Sequence, residues 1–311
     1  MKRILSPLLV GLLATGLIAC SKQGPDTQAA SEPAAAAAGA PLSIGLAIST
    51  QNNPFFVALR DGADAEAKAQ GVKLITVDAQ DDSAKQISNI EDLIQKKVQV
   101  ILINPADSDA VAGVVKEALK AGIQVVSLDR SVNGAEVNAH IASDNIAGGK
   151  MAGEFLLEKI GGKGNIVELE GIPGSSAARE RGQGFHSVVD GKADVKLAAK
   201  QAADFDRAKG LSVMENILQG NKDVKGVFAH NDEMALGAFK AIEAAGLKNV
   251  VIVGFDATPD AVAAVKAGQL AATVQQKPEL IGKMGVDTAI KLSKGEAVDK
   301  FIPVPLDLVK Q

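Results

Sequence analysis

The sequence is poor in the residue types that mark many kinds of functional site. It has no tryptophan and no tyrosine, and only nine phenylalanines among 311 residues. The three histidines are scattered, and Cys20 is the single cysteine, so the chain has no disulfide framework and no cluster with metal-ligand spacing. The net formal charge is −4 and no lysine or arginine run occurs, so nothing indicates a nucleic-acid partner. We therefore expect neither a metal nor a cofactor.

The first twenty residues predict export. Lys2 and Arg3 precede the apolar stretch 4–19, which is the pattern of a secretory signal peptide. The stretch ends in LIAC, which resembles the bacterial lipobox, and this predicts acylation of Cys20. The alternative is a cysteine left in an apolar run without modification. Residues 21–41 are rich in Ala, Ser, Pro and Gly and predict a flexible tether. We expect a protein exported to the periplasm and anchored through lipid on Cys20.

From Leu42 onwards, short β-rich runs alternate with amphipathic helical patterns. Nine such runs are visible, and several are nearly continuous in Val, Ile and Leu, as in strands covered on both faces. Examples of the helices are 54–70, 108–121 and 278–293. This alternation predicts α/β architecture with parallel, doubly wound sheets. A boundary near 143–148 divides the chain into two halves, which would place two sets of strand ends across a cleft.

The stretch TQNNPFF, residues 50–56, follows the first predicted strand and places two of the nine phenylalanines side by side. Asn53 followed by Pro54 is an ordinary helix start, and Phe55 and Phe56 are ordinary core residues when taken singly. Other predicted strands, however, also end in planar polar groups or phenylalanine. The whole set is Asn53, Phe55, Phe56, Asn104, Asp129, Arg130, Arg181, Phe205, Asn231, Phe255, Asp256 and Gln276.

This set has the chemistry of a monosaccharide site. Amides, carboxylates and guanidinium groups offer several fixed hydrogen-bonding directions, as a rim of sugar hydroxyls requires. The phenylalanine rings offer flat apolar walls for the C–H faces of a sugar ring.

Several segments carry a specific resemblance. They are STQNNPFF, INPADSDAV, SLDR, HIASDNIAGGKMAG, SSAARERGQGF, ADFDRAKGL, HNDEMALGA and VGFDATPD. Together, from about Leu42 to the C-terminus, they resemble type I periplasmic binding proteins, and among them those that take D-ribose. These proteins are sugar-binding components of bacterial ABC importers, so the resemblance implies an ABC permease as partner, with a chemoreceptor as a further partner left open, and a monomeric chain.

The resemblance also implies a ligand set and a domain organisation. By position it assigns sugar binding to all twelve residues of the set, and within ARERG to Arg181 rather than Arg179. It implies two Rossmann-like lobes joined by a three-segment hinge, with crossings near 143, 276 and 303. The N-terminal lobe would be 42–143 plus 277–303, and the C-terminal lobe would be 144–276 plus 304–311.

The sequence leaves three alternatives to a ribose-transport protein, namely an enzyme, a regulator or sensor, and a binding protein for another ligand. An enzyme is disfavoured, because ELEGIPGSS lacks the GK[ST] ending of a phosphate loop and no carboxylate pair suits acid–base work. A DNA-bound regulator with the same lobes would carry a helix-turn-helix where this chain has a signal, whereas a chemotaxis or sensor role remains compatible. The ligand could also be allose, galactose, xylose, fructose or autoinducer-2.

Overall fold

The computed structural model describes residues 41–311. The predicted signal peptide, the lipobox with Cys20 and the predicted tether up to residue 40 lie outside the described residues. Within residues 41–311, no helix combines the length and the apolar character needed to cross a membrane. Strands and helices are numbered below in chain order.

Six parallel strands form the first sheet, in the spatial order β11-β5-β4-β3-β1-β2. The strands are β1 (Ser43–Ile48), β2 (Lys73–Asp78), β3 (Val100–Ile103), β4 (Gln124–Leu128), β5 (Ala139–Ser143) and β11 (Phe301–Val304). Its helices are α1 (Pro54–Ala69), α2 (Ser83–Gln95), α3 (Ala112–Lys120) and α9 (Pro278–Ser293). The central strand β3, VILI, is buried at every position because α1 and α9 cover one face while α2 and α3 cover the other.

A second six-stranded sheet has the order β12-β10-β9-β8-β6-β7, with only β12 antiparallel to its neighbour. Its strands are β6 (Gly164–Glu170), β7 (Val195–Ala202), β8 (Val224–Ala229), β9 (Val251–Asp256), β10 (Ala272–Gln275) and β12 (Asp307–Lys310). Its helices are α4 (Asn145–Lys159), α5 (Ser176–Val189), α6 (Arg207–Gly220), α7 (Asp232–Ala244) and α8 (Pro259–Lys266). The pair α4 and α5 covers one face, and α6, α7 and α8 cover the other.

The chain passes between the two sheets three times. The crossings lie between β5 and α4, between β10 and α9, and between β11 and β12. We call the body around the first sheet the first lobe and the body around the second sheet the second lobe. Two doubly wound lobes joined by three segments are the predicted fold class, which is thereby confirmed.

The count of nine strands was wrong, because residues 41–311 contain twelve. The three that were missed are β7, β11 and β12, all at sheet edges. They are short or half exposed, so their sequences VKLAAKQA, FIPV and DLVK lack a continuous apolar run. The helix predicted over 108–121 begins only at Ala112, since the Asp107 carboxylate accepts bonds from the backbone of Asp109 and Ala110 at 2.8 and 2.9 Å and holds a turn there.

Candidate ligand-binding site

The carboxyl ends of the strands in both sheets face a common cavity between the lobes. The cavity has an empty volume of about 230 Å³. Its lining residues are all buried: Asn53, Phe55, Phe56, Asp129, Arg130, Ala177, Arg181, Phe205, Asn231, Asp256 and Gln276.

The start of α1 supplies one apolar wall. Asn53 caps this helix, its side-chain oxygen accepting from the Phe55 backbone N–H at 2.9 Å, and Pro54 occupies the first helical turn. The rings of Phe55 and Phe56 are perpendicular, with centroids 5.2 Å apart. Both rings also belong to the core under α1 and α9. The doubled phenylalanine therefore has two uses, as core packing and as cavity wall.

The end of β4 supplies an adjacent carboxylate and guanidinium. Asp129 has a left-handed backbone, with φ of 63°, which turns its side chain out of the strand direction. The Arg130 guanidinium donates to the Pro105 carbonyl at 2.9 Å and lies 4.9 Å from the Phe56 ring centroid. Asn104 stands behind this pair and holds it in place, donating to the Leu128 carbonyl at 3.1 Å.

The second lobe supplies Arg181 from α5. Its Nε donates to Asn145 Oδ1 at 2.9 Å, and its Nη1 donates to the His230 carbonyl at 2.6 Å. The guanidinium centre lies only 3.8 Å from the Phe255 ring centroid and 3.7 Å separates its Nη1 from Asp256 Oδ1. A planar cation stacked on an aromatic face and bonded at its edges has little freedom to rotate.

Phe205 closes the second apolar wall opposite Phe56. Its backbone is left-handed, with φ of 61°, and its carbonyl accepts from Asn231 Nδ2 at 3.1 Å. Asn231 also caps α7, through Met234 N–H at 3.0 Å. The Phe205 ring packs directly on Gly171, where a Cβ atom would collide with the ring. Glycine is therefore required at position 171 for the Phe205 ring to occupy this place.

Gln276 lies in the hinge, immediately after β10. It donates to Asp256 Oδ1 at 2.9 Å, while its own side-chain oxygen has no partner among the described residues. Asp129 Oδ1 and Arg130 Nε are likewise buried without a partner among residues 41–311. Buried polar atoms are normally hydrogen-bonded, so three such atoms around one cavity indicate a polar ligand.

Burial raises the pKa values of the two carboxyl groups in the cavity. Desolvation raises the pKa of Asp256 to about 7, against the lowering effects of Arg181 and of the bond from Gln276. Burial also raises the pKa of Asp129, although Arg130 and then Arg181 oppose this. Donors from a ligand would favour the charged carboxylates that burial disfavours.

Ten of the twelve residues predicted from the sequence line the cavity. The other two, Asn104 and Phe255, lie one layer behind it, against Asp129 and Arg181 respectively. Sequence reasoning missed Ala177, whose methyl side chain carries no chemical signal. It precedes Arg181 by four residues on α5 and so shares its helix face, which is the pattern that could have found it.

The two lobes touch directly beside the cavity. Ser108 N–H donates to the Gly174 carbonyl at 2.9 Å, and Ser176 N–H donates to Ser108 Oγ at 3.1 Å. Ser131 N–H donates to Ser176 Oγ at 2.9 Å. These bonds join loops of the first lobe to the start of α5 in the second, so the lobes are in a closed arrangement.

Comparisons with known proteins agree with this architecture. Residues 44–297 match the model of the periplasmic binding protein domain family. The ribose import binding protein of Bacillus subtilis (strain 168) is 49% identical over 311 residues, covering 100% of both chains. The protein of the same name from Escherichia coli (strain K12) is 51% identical over 267 residues, 86% of this chain and 90% of that protein. A solved ABC transporter periplasmic solute-binding protein from Actinobacillus succinogenes 130z, with bound D-allose, has a TM-score of 0.81 and 32% identity, covering 87% of this chain and 98% of that chain.

Two doubly wound lobes that close on a buried polar cavity define a two-lobed solute-binding protein. The matched residues 44–297 make up most of the chain. The chain belongs to the periplasmic binding protein domain family.

Proposed function

We propose that this protein captures a monosaccharide, D-ribose, outside the cytoplasm and delivers it to an ABC permease. The observation that carries the proposal is the enclosed cavity with unpartnered buried polar atoms between aromatic walls. Sugar hydroxyls both donate and accept, so they can satisfy the free oxygens of Asp129 and Gln276 as well as the free Nε of Arg130.

The charge of the cavity favours a neutral ligand. Its lining carries two aspartates and two arginines, and each aspartate lies near an arginine, at 3.8 Å for Asp129–Arg130 and 3.7 Å for Asp256–Arg181. A charged ligand would add a buried charge that no remaining side chain of the lining balances, which is unfavourable in an environment without water. Charge-assisted bonds to neutral hydroxyls do not have this disadvantage.

The size of the cavity favours a single small sugar. The cavity is small and all its lining residues are buried, which leaves little room for a larger ligand. The ribose import binding proteins of Bacillus subtilis and Escherichia coli, at 49% and 51% identity, support ribose among the small sugars. The D-allose bound to the Actinobacillus protein is the specific reason to keep a hexose as the alternative ligand.

The proposed cycle is binding by lobe closure. Because the cavity is enclosed, a sugar enters only when the lobes separate, and closure lets both lobes bond the sugar at once. The closed form docks on the permease, or on a chemoreceptor as a second partner. Exposed large hydrophobic residues of the described chain are three separate ones, Ile146, Leu280 and Phe301, which suits a monomer. The cycle needs no covalent chemistry.

Calorimetric titration with a panel of pentoses and hexoses tests the ligand. We expect D-ribose to bind more tightly than D-allose, D-galactose, D-xylose or D-fructose. Tight binding of a hexose with no heat from ribose would change the ligand and leave sugar capture standing. No binding of any sugar in the panel would contradict the proposal.

We further propose that the protein is held at the membrane through acylated Cys20. Palmitate labelling in cells should mark the wild type and leave Cys20→Ser unlabelled. An unlabelled wild type that is recovered in the soluble periplasmic fraction would contradict the anchor without affecting the proposed ligand.

A further inference from the structure

A buried cluster of one carboxylate and two imidazoles lies behind Arg181. Glu168 is on β6, next to the edge strand β7, and its side chain has no exposed surface. Its Oε1 is 2.9 Å from His230 Nε2, and its Oε2 is 2.9 Å from His186 Nε2. The cluster lies outside the cavity lining, and the proposed sugar contacts do not require it.

The contacts of the two rings determine which nitrogens carry protons. His186 Nδ1 faces a second carboxylate, Asp190 Oδ1, also at 2.9 Å. Ionised carboxylates only accept, so His186 satisfies both Glu168 and Asp190 only as the doubly protonated cation. His230 differs, because its Nδ1 faces the Gly171 backbone N–H at 3.4 Å and must accept there. His230 is therefore neutral and donates to Glu168 from Nε2.

His230 connects the cluster to two parts of the cavity lining, one through its backbone and one through its ring. The His230 carbonyl accepts from Arg181 Nη1 at 2.6 Å. Its ring receives the N–H of Gly171, the residue on which the Phe205 ring packs. A rotation of the His230 ring would therefore be transmitted through Gly171 to the Phe205 wall, whereas the bond to Arg181 is made by the His230 backbone.

We propose that Glu168 and His186 are positioning residues for the Phe205 wall, acting through the His230 ring and Gly171, and that sugar affinity consequently depends on the charge of His186. This inference rests on the proposed sugar-binding function. While His186 is charged, Glu168 has a donor on each oxygen and holds the His230 ring in place. When His186 loses its proton it can donate to only one of its two carboxylates. Glu168 then has less support inside the lobe, and the His230 ring is held less firmly.

The charges around the cluster agree with this assignment. Burial opposes the charged form of His186, but the bond to Asp190 and the charge of Glu168 together raise its pKa. Burial likewise opposes the charged form of Glu168, yet His230, His186 and Lys200 lower its pKa overall. Burial lowers the pKa of His230.

The remaining charged neighbours come from three elements. They are Arg181 of α5, Glu170 of β6 and Lys200 of β7. Lys200 forms an ion pair with Glu170 at 2.9 Å, so these two largely compensate each other. Arg181 opposes a positive charge on His230, which is consistent with the neutral ring.

The sign of the expected pH effect follows from the raised pKa of His186. His186 bonds both Glu168 and Asp190 below the ordinary histidine pKa of about 6.5. It loses one of these bonds as the pH rises through the raised pKa that it has in the folded protein. Sugar should thus bind more tightly at pH 6 than at pH 9. We expect a change of about fivefold, the lower end for coupled sites.

The test compares D-ribose titrations of the purified wild type and His186→Gln from pH 5 to pH 9. Glutamine can donate to Glu168 at every pH, so the His186-dependent step should disappear from its profile. Asp256 titrates in both proteins, and its contribution cancels in the comparison. Asp190→Asn is the matched control; it keeps the bond to Glu168, so the step should remain and move to lower pH. His186 is about a quarter exposed, so its variant is expected to fold.

A second measurement is independent of any variant. Ring-proton NMR should show that the pKa of His186 rises when D-ribose is added, because coupling between two sites is reciprocal. Two results would overturn the inference while sugar binding stands. One is that His186→Gln changes the affinity by the same factor at every pH, and the other is that the pKa of His186 is the same with and without ribose. A wild type that binds no sugar at any pH would overturn the proposed function, and this inference with it.

Discussion

The two arginines of the cavity, one from each lobe, are held in different ways. Arg181 in the second lobe is bonded at Nε and Nη1 and is stacked 3.8 Å from the Phe255 ring. Arg130 in the first lobe makes one hydrogen bond, to the Pro105 carbonyl, and its Nε has no partner among the described residues. Arg181 is thus preorganised, whereas Arg130 retains hydrogen-bonding capacity that a ligand can use.

This difference extends to the aspartates. Each aspartate has one oxygen hydrogen-bonded by a neighbouring amide, and the bond is shorter in the second lobe, 2.9 Å from Gln276 to Asp256 against 3.4 Å from Asn104 to Asp129. The polar side chains of the second lobe are therefore held more firmly before binding than those of the first lobe. Preorganisation reduces the ordering entropy lost on binding, so we expect the second lobe to contribute more per residue to affinity.

Removing the preorganised arginine should have the largest effect. Arg181→Ala leaves the His230 carbonyl without its donor and Asp256 without its counter-charge, and such truncations typically weaken binding by about 100-fold or more. Titration with D-ribose measures the loss. Arg207→Ala is the control from the same lobe, since Arg207 is exposed and pairs with Glu233 of that lobe at 2.8 Å. An Arg181→Ala protein with wild-type affinity would refute the assignment of this residue.

Changing the less constrained arginine should have a smaller effect. Arg130→Lys keeps the charge beside Asp129 but removes the planar group and its free Nε, so we expect about tenfold weaker binding. The same titration compares it with Arg181→Lys, which should lose more because stacking on Phe255 is also lost. Equal losses for the two lysine variants would remove the distinction between the lobes.

The smallest expected change, in the size of the molecule and not in its affinity, is a pH dependence of closure without sugar. Separated lobes expose Asp256 to water, where its pKa should return towards about 3.9, whereas in the closed form it is about 7. Between these values only the closed form keeps the proton. Closure is thus favoured at low pH, and this advantage is lost as the pH rises from about 4 to about 7.

Small-angle scattering of the unliganded protein measures this closure. The radius of gyration should be smaller at pH 5 than at pH 8 in the wild type. Asp256→Asn carries no titrating group at this position and should show a smaller change, since Asp129, whose pKa burial also raises, still titrates. Identical curves for the two proteins would exclude Asp256 as the origin of any pH effect.

Much of the site followed from one rule, that ligands meet the carboxyl ends of parallel strands. It placed Asp129 after β4 and Asp256 at the end of β9, which are on opposite lobes but face one cavity. The rule does not say which of two adjacent residues at a strand end faces the cavity. Phe255 precedes Asp256 on a strand, so the two side chains point to opposite faces, and only Asp256 lines the cavity.

Other features depend on contacts that the sequence pattern does not contain. Ala177 lines the cavity only because of the helix face it shares with Arg181. The edge strand β7 is recognisable through its pairing with β6 rather than through its composition. The histidines at 186 and 230 are 44 residues apart along the chain, and Glu168 joins them only after β6, β8 and α5 pack together.

The left-handed backbones at Asp129, Phe205 and Asp256 have a consequence for how this protein can change over evolution or in the laboratory. Their φ values are 63°, 61° and 117°, and such conformations typically cost about 1–3 kcal/mol each in residues other than glycine. Selection for stability alone would favour glycine at Asp129 and Asp256, and each replacement would delete a proposed sugar contact; Phe205 differs because its ring belongs to the core of the second lobe. Libraries screened for heat resistance should therefore accumulate variants that fold better and capture less, with the losses concentrated at the two aspartates.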